Sequence, residues 1–448
     1  NGVIRDRFRV DPSVLELERT LSGEFRLQRY IMSQPLRAPA TMEGIAGRLS
    51  TPDDVAGKIQ ILSRLSQPEG QALLPMPAGD ERLQKALASQ QPVVEAVTQL
   101  FEKTKQRFQG NEREAVIRES AALPPAVQEI VCRLLLGSLD AVLQREVLVK
   151  ERDFKSGGAF GGKTKRTAKR LREFASRWWQ ADPESPESFA SVVPSLETLN
   201  LPSLYAGASA LASKVEAALD SLEADGGAAG GDPFQFTWPT PRGRVAVGGT
   251  GPNEYAGSFL LIVDLGGNDR YSGAGSTGGE NPLALVVDLG GDDRYEPADS
   301  AGVAPGGAIL GYAAVVDRGD GDDEYLGLAW GGGFGFLGVG WIQDAGGNDR
   351  YAMQWLSQGA GMFGIGLLLD EAGDDRFHIS TGNSDFPAGR SQGFAGPAGL
   401  GALIDLEGDD VYEPDGAPGV DYLQGSASGV DRFHAGGMGL LLDGKGAD

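Results

Sequence analysis

The chain has little of what most catalytic sites are built from. One cysteine, Cys132, and two histidines, His378 and His434, occur in 448 residues. Cys132 falls in an apolar helical stripe and reads as a small buried hydrophobe, not a nucleophile. So little cysteine neither requires nor excludes an oxidising compartment. The histidines follow Phe377 and Phe433 in turn-like segments, with no Ser or Cys nucleophile in a recognisable context, so no triad can be argued. Without a neighbouring cysteine or a third histidine they give zinc little support either, and they read as solvated turn residues. No apolar run is long enough for a transmembrane segment. Basic residues are scarce after position 230: 10 face 32 acidic ones, a balance of −22, while the residues before carry 30 of each sign. An acidic second half argues against nucleic acid as a partner and suits divalent cations.

Glycine is abundant, 67 residues, and much of it belongs to a repeat. Val263-Asp264-Leu265-Gly266-Gly267-Asn268-Asp269-Arg270-Tyr271 returns almost unchanged from Val287 to Tyr295. It returns again from Gln343 to Tyr351 and from Leu369 to Phe377. Looser copies run from Asp317 to Tyr325, one residue longer, and from Asp405 to Tyr412. A last copy starts at Asp443, and a degenerate first one without the leading Asp spans Val247 to Tyr255. The pattern is apolar-Asp-x-x-Gly-(Asn/Asp)-Asp-x-(Tyr/Phe). The leading aspartates are separated by 24, 29, 27, 26, 35 and 38 residues, periods that mean a repeat architecture.

Before each leading Asp, small residues such as Gly340, Gly366 and Gly401 alternate with larger apolar ones such as Val339, Ile365 and Leu403. Period two describes a strand, and repeated glycines would cost a helix about 1 kcal/mol each. Each unit therefore reads as strand, Gly-rich turn, short strand ending in Tyr or Phe, and a variable loop. One hairpin buries too little to stand alone, but stacked units share a core. A parallel β-solenoid is expected over 234–448, with columns of like residues about 4.8 Å apart. Residues 1–223 read as helical, and 224–233 as a Gly-rich linker, so the fold class is α + β. Helices are expected at Val14–Ser33, Val55–Ser66, Arg82–Ser89, Pro92–Gln109, Pro124–Glu146, Thr164–Trp179 and Leu204–Leu222. Phe234 to Pro241, around Trp238, is expected to cap the first coil against edge pairing.

Columns of aspartate repel unless something compensates them. One remedy is Ca²⁺, which favours carboxylate and carbonyl oxygens. Its candidate ligands are Asp264, Asp269, Asp288, Asp293, Asp317, Asp320, Asp322, Asp323, Asp344, Asp349, Asp370, Asp375, Asp405 and Asp410. Asp317, Asp320, Asp322 and Asp323, closest together in sequence, make the best single candidate for a tight site. The other remedy needs no metal: Arg270, Arg294, Arg350 and Arg376 follow the second Asp directly, and turn amides can cap a carboxylate.

The turn resembles the RTX-type calcium-binding β-roll repeat, Gly-Gly-x-Gly-x-Asp-x-apolar-x. Aligned on Asp269, this sequence keeps Gly267, the Asp and the apolar Tyr271, places Asp264 where that family has its first Gly, and repeats at longer intervals. The resemblance covers about six short turns. It implies calcium binding and a place outside the cell, at the surface or in the periplasm. The start at Asn1, without an initiator Met, suits a product whose leader is gone.

The expected function is a structural or binding protein with a calcium-stabilised solenoid. It would engage a protein or polysaccharide at the cell surface, or copies of itself. The alternative is a polysaccharide-active enzyme, a lyase or hydrolase on a β-helix platform, with Arg390 and Arg432 as the residues to try. Gly157 to Thr164 matches GxxxxGK[ST] but follows a charged stretch instead of an apolar strand, so it reads as a flexible basic loop. Arg318-Gly319-Asp320 is an RGD tripeptide that the turn already explains. Gln358, Gln392 and Gln424, each before a Gly, read as an amide ladder or loop anchor. The insertions His378 to Gln392 and Glu413 to Gly436 are the best places for a functional surface.

Overall fold

A computed structural model of the chain describes residues 31, 34–66, 81–149, 200–224, 233–278, 281–299, 302–380, 389–415, 423–427 and 436–446. Among the described residues seven α-helices precede the strands: α1 (Ala38–Leu49), α2 (Val55–Ser66), α3 (Glu81–Leu87), α4 (Pro92–Lys103), α5 (Asn111–Ser120), α6 (Pro125–Val149) and α7 (Leu201–Ala224). The periodicity locates α2, α3, α4, α6 and α7 to within a few residues, except that α4 stops six residues before Gln109. It misses α1 and α5. Both bury little, only Ile45 and Leu49 in the first and Val116 and Ser120 in the second. Pro92 opens α4, where its missing N–H costs nothing. The helices expected at Val14–Ser33 and Thr164–Trp179, the segment Gly157 to Thr164 and most of the linker lie outside the described residues.

From Gln235 on, the described residues build three sheets. The largest has nine strands, and after the first two every pairing in it is parallel. Its strands end on the leading aspartates, as in Leu283–Asp288, Tyr312–Asp317, Val339–Asp344, Ile365–Asp370 and Leu400–Asp405. The second sheet has seven short strands that carry the aromatic of each copy, such as Arg270–Ser272, Arg294–Glu296, Glu324–Leu326 and Arg350–Met353. A third sheet, of two-residue strands at Ala308–Ile309, Gly335–Phe336 and Gly361–Met362, has no counterpart in the sequence reading. Like pairs with like: Asp288 with Asp317, Asp344 with Asp370, Asp370 with Asp405, and Tyr325 with Tyr351.

The first strand, Gln235–Thr240, runs antiparallel on the edge of the large sheet and covers it, as expected of a cap. Trp238 in it is buried and donates from Nε1 to Glu119 of α5 at 2.7 Å.

The large sheet is buried on both faces, which is why its strands read as unbroken apolar runs. Ile262, Val286, Val315, Ile342, Leu368 and Leu403 form one core with the stacked aromatics of the second sheet. The alternate residues, among them Leu261, Leu285, Trp341 and Leu367, share a second core with the helices. Each such side chain, removed from water, contributes about 1.5–3 kcal/mol. The small residues of the pattern are explained by backbone crowding. A Cβ at Gly340 would collide with the carbonyl oxygens of Phe334 and Gly306.

The helices also meet the sheet through charges. Arg318, at a turn, pairs with Asp53 before α2 and lies 3.6 Å from Glu223 of α7. The Arg of the RGD tripeptide is therefore held against the helices, and Asp320 alone of its charges faces solvent.

Candidate metal centre

Each turn presents three rows of side chains, and the rows differ in what meets them. The leading aspartates are buried at the end of the large sheet. Asp264, Asp288, Asp317 and Asp344 each accept, on Oδ1, the N–H of the residue two places on, at 2.8–3.0 Å. That residue is a glycine, and at Gly266, Gly290 and Gly346 its φ of +118°, +139° and +154° is one that other residues rarely adopt. Oδ2 accepts the hydroxyl of the aromatic in the preceding copy: Tyr295 to Asp317, Tyr325 to Asp344 and Tyr351 to Asp370, each at 2.6 Å. Tyr255 and Tyr271 do the same for Asp264 and Asp288. The rings stack from Tyr255 to Tyr412 with centroids 4.6–5.0 Å apart.

The second aspartates form a ladder of their own. Asp293 Oδ1 accepts the N–H of Asp269 at 2.6 Å, Asp323 that of Asp293, Asp349 that of Asp323, Asp375 that of Asp349 and Asp410 that of Asp375. Asn253 stands at this place in the degenerate first copy and donates its N–H to Asp269. The other oxygen, Oδ2, of Asp269, Asp293, Asp349 and Asp375 is buried and meets no N–H or hydroxyl donor; its polar neighbour is the carboxyl of the leading aspartate, with which it can share a proton.

These oxygens face the leading aspartates. Among the described residues, five groups of three carboxylates have ligand atoms within 4.8 Å of one another: Asp264, Asp269 and Asp288; Asp288, Asp293 and Asp317; Asp323, Asp344 and Asp349; Asp349, Asp370 and Asp375; and Asp375, Asp405 and Asp410. Burial raises the affinity of these groups for protons. Asp269 and Asp349 are pushed up to about 8 and Asp293 to about 7, burial being the largest cause in each, with neighbouring carboxylates adding to it. Asp264 and Asp375 rise to about 6, and Asp288, Asp344 and Asp370 well above the carboxylate range.

The donor set fits a hard divalent cation. Two oxygens on opposite sides of Ca²⁺, each about 2.4 Å from it, stand about 4.8 Å apart. Three carboxylates offer part of the six to eight oxygens the ion takes, and there is no sulfur or imidazole to favour zinc or copper.

The two remedies for the aspartate columns divide differently from expectation. The amide half of the metal-free remedy is present, in the Gly and Asp N–H groups. The arginine half is not, because among the described residues no ion pair joins a basic side chain to the buried aspartates from Asp264 to Asp375. Arg270 and Arg294 reach Glu296 instead, at 2.8 and 3.1 Å, Arg350 reaches Glu324, and Arg376 reaches Glu413. Alternation puts the aromatic inward, so the arginine beside it points to solvent.

Nor does the long turn gather Asp317, Asp320, Asp322 and Asp323 into one site. Asp317 joins one group and Asp323 the next, while Asp320 and Asp322 are exposed and belong to neither. The third row, Asn268, Asp292, Asp322, Asn348, Asp374 and Asp409, runs in solvent. Its side chains accept N–H groups of the following copy, as Asp322 does from Asn348 at 2.9 Å.

The outward face of the second sheet holds an open groove of about 570 Å³, lined by Arg270, Glu296, Leu326, Arg350, His378 and Ser380 among others. His378 is not a solvated turn residue: Nδ1 lies 3.3 Å from Glu413 and Nε2 3.4 Å from Asp415. Arg390 is not among the residues lining the groove; it sits in a tight bend at φ +54°. Arg432, His434 and most of the two long insertions lie outside the described residues.

Gln358 and Gln392 anchor loops. Their amides donate to the carbonyls of Tyr351 and Phe377 at 2.9 and 3.1 Å. Cys132 is buried, and burial pushes its thiol up to about 12, which removes it as a nucleophile. No helix among the described residues is long and apolar enough to cross a membrane. Compared with known proteins, the chain matches no family model, no curated protein and no solved structure.

Proposed function

We propose that the second half of the chain is a parallel β-solenoid whose aspartate column takes Ca²⁺, and that the protein is a structural or binding component outside the cell. One observation carries this reading. In four copies the Oδ2 atoms of Asp269, Asp293, Asp349 and Asp375 meet no N–H or hydroxyl donor, each lies beside two further buried carboxylates, and among the described residues no ion pair joins them to a basic side chain. Buried carboxylates that close cannot all ionise without a cation, and a cation there joins consecutive copies. Millimolar Ca²⁺ outside cells would keep such sites filled. The groove on the second sheet, with its alternating Arg and Glu, is the face that meets a surface polysaccharide or protein.

The test is metal analysis of the protein as purified, followed by thermal unfolding after EGTA treatment and after refilling with Ca²⁺ or Mg²⁺. Bound calcium and a Ca²⁺-specific rise in Tm support the reading. Metal-free protein whose Tm ignores Ca²⁺ sinks it, and leaves the turns held by Tyr hydroxyls and backbone amides alone.

A further inference from the structure

Away from the aspartate column, the seam between the helices and the large sheet buries a cation without an anion. Arg145, near the end of α6, is 6% exposed and donates from Nε to the carbonyl of Leu310 at 2.8 Å. Its Nη2 is buried and has no acceptor. Beside it stands Tyr312, fully buried, whose hydroxyl has no partner either. Gly207 of α7 leaves the space in which that hydroxyl sits, since a Cβ there would collide with it. The other charges facing Arg145 are Glu146 and Arg242, which pair with each other, and the Nε of Arg242 is a third buried donor without an acceptor. Among the described residues this seam holds two guanidiniums and one carboxylate, in a chain of net charge −22.

We propose that a small monovalent anion, a halide such as chloride, binds at this seam between Arg145 Nη2 and the Tyr312 hydroxyl. Leaving either donor unpaired in a buried interface is destabilising, more so for the charged one. A water molecule could accept from both donors but would leave the guanidinium charge uncompensated. An anion answers both needs at once. It would act as a rivet between α6, α7 and the strand Tyr312–Asp317, fixing how the helices lie on the sheet. The site is independent of the aspartate column, so chelation by EGTA leaves it untouched.

Thermal unfolding of the full chain in sodium gluconate, with chloride or bromide replacing gluconate at constant ionic strength, tests this. A saturable rise in Tm with either halide is expected. Tyr312→Phe should raise the half-saturating chloride concentration about tenfold, for loss of one charge-assisted hydrogen bond, and Arg145→Met should abolish the response. A Tm indifferent to halide, or a halide response unchanged in Tyr312→Phe, overturns the proposal. Should Arg145→Met fail to fold, crystals of the unaltered protein grown in bromide decide the matter. An anomalous peak beside Nη2 supports the site, and a water or a side chain of the protein in that position refutes it.

Discussion

At Asp344 both oxygens of the leading carboxylate are met, by the Gly346 amide at 3.0 Å and the Tyr325 hydroxyl at 2.6 Å. At Asp405 the pattern has decayed. Glu407 replaces the glycine two places on, Oδ1 has no donor, and the only hydroxyl is that of Tyr412 in the same copy, at 3.3 Å. Asp370 is intermediate, keeping the Tyr351 hydroxyl but losing the amide where Ala372 replaces glycine. All three strands keep the same register. Backbone pairing therefore tolerates loss of the carboxylate's partners, and those partners set local stability and the affinity for protons or metal. The middle of the repeat array, at Asp344, and its later part, at Asp405, share a fold and differ in how firmly each turn is held.

The largest test of that difference removes the cation and varies pH. In metal-free protein the raised values, about 8 for Asp269 and Asp349 and about 7 for Asp293, lie above the value of about 3.9 for unfolded Asp. Between these limits the native state holds more protons than the unfolded chain. Its stability from this source is full below pH about 4 and is lost as pH rises through about 8. Calorimetry should show Tm falling by about 10 °C from pH 5 to 8.5 without metal, and much less with millimolar Ca²⁺. A flat metal-free profile would mean that these carboxylates are ionised and compensated by some other means.

Next in size is Asp344→Ala, which leaves the Gly346 amide and Tyr325 hydroxyl buried without an acceptor. Urea denaturation should show a loss of about 4 kcal/mol. Asp405→Ala removes a carboxylate with one long hydrogen bond and should cost about 1 kcal/mol or less. Equal losses would erase the distinction between the two copies. The decayed end should also be repairable. Phe377 stacks between Tyr351 and Tyr412 and stands where a tyrosine would reach Asp405, as Tyr351 reaches Asp370. Phe377→Tyr should therefore add about 1 kcal/mol, read as a higher urea midpoint at unchanged m.

Much of this was legible because repetition exposes position. The copies fix the strands, the parallel stacking and the columns of Asp and Tyr, since in-register pairing puts equivalent residues together. The direction of side chains was legible only in part. Period-two alternation from the inward Tyr271 already sends Arg270 outward, and that argument, carried through, would have separated the arginines from the aspartates. What no repeat encodes is contact between distant elements. The Tyr hydroxyl reaching the Asp of the following copy, the third sheet of two-residue strands and the helices over the large sheet each depend on the three-dimensional path. The same holds for Asp317 and Asp323: closeness in sequence suggested one site, while the longer turn separates them into two.

The smallest expected effect tests whether burial, and not the mere presence of a carboxylate column, makes the turns matter. Asp292 belongs to the exposed row and accepts the N–H of Asp322 in the following copy at 3.2 Å, where the buried second aspartates accept an N–H from the preceding copy. In solvent water replaces the lost acceptor, so Asp292→Ala should cost about 0.5 kcal/mol, within the range of ordinary surface changes. It should also leave the Ca²⁺ response intact, since Asp292 lies outside the buried groups. A loss approaching that of Asp344→Ala would mean that the exposed row carries the turn. The two rows follow the same path at nearly the same spacing, so desolvation alone would then fail as the explanation of their difference.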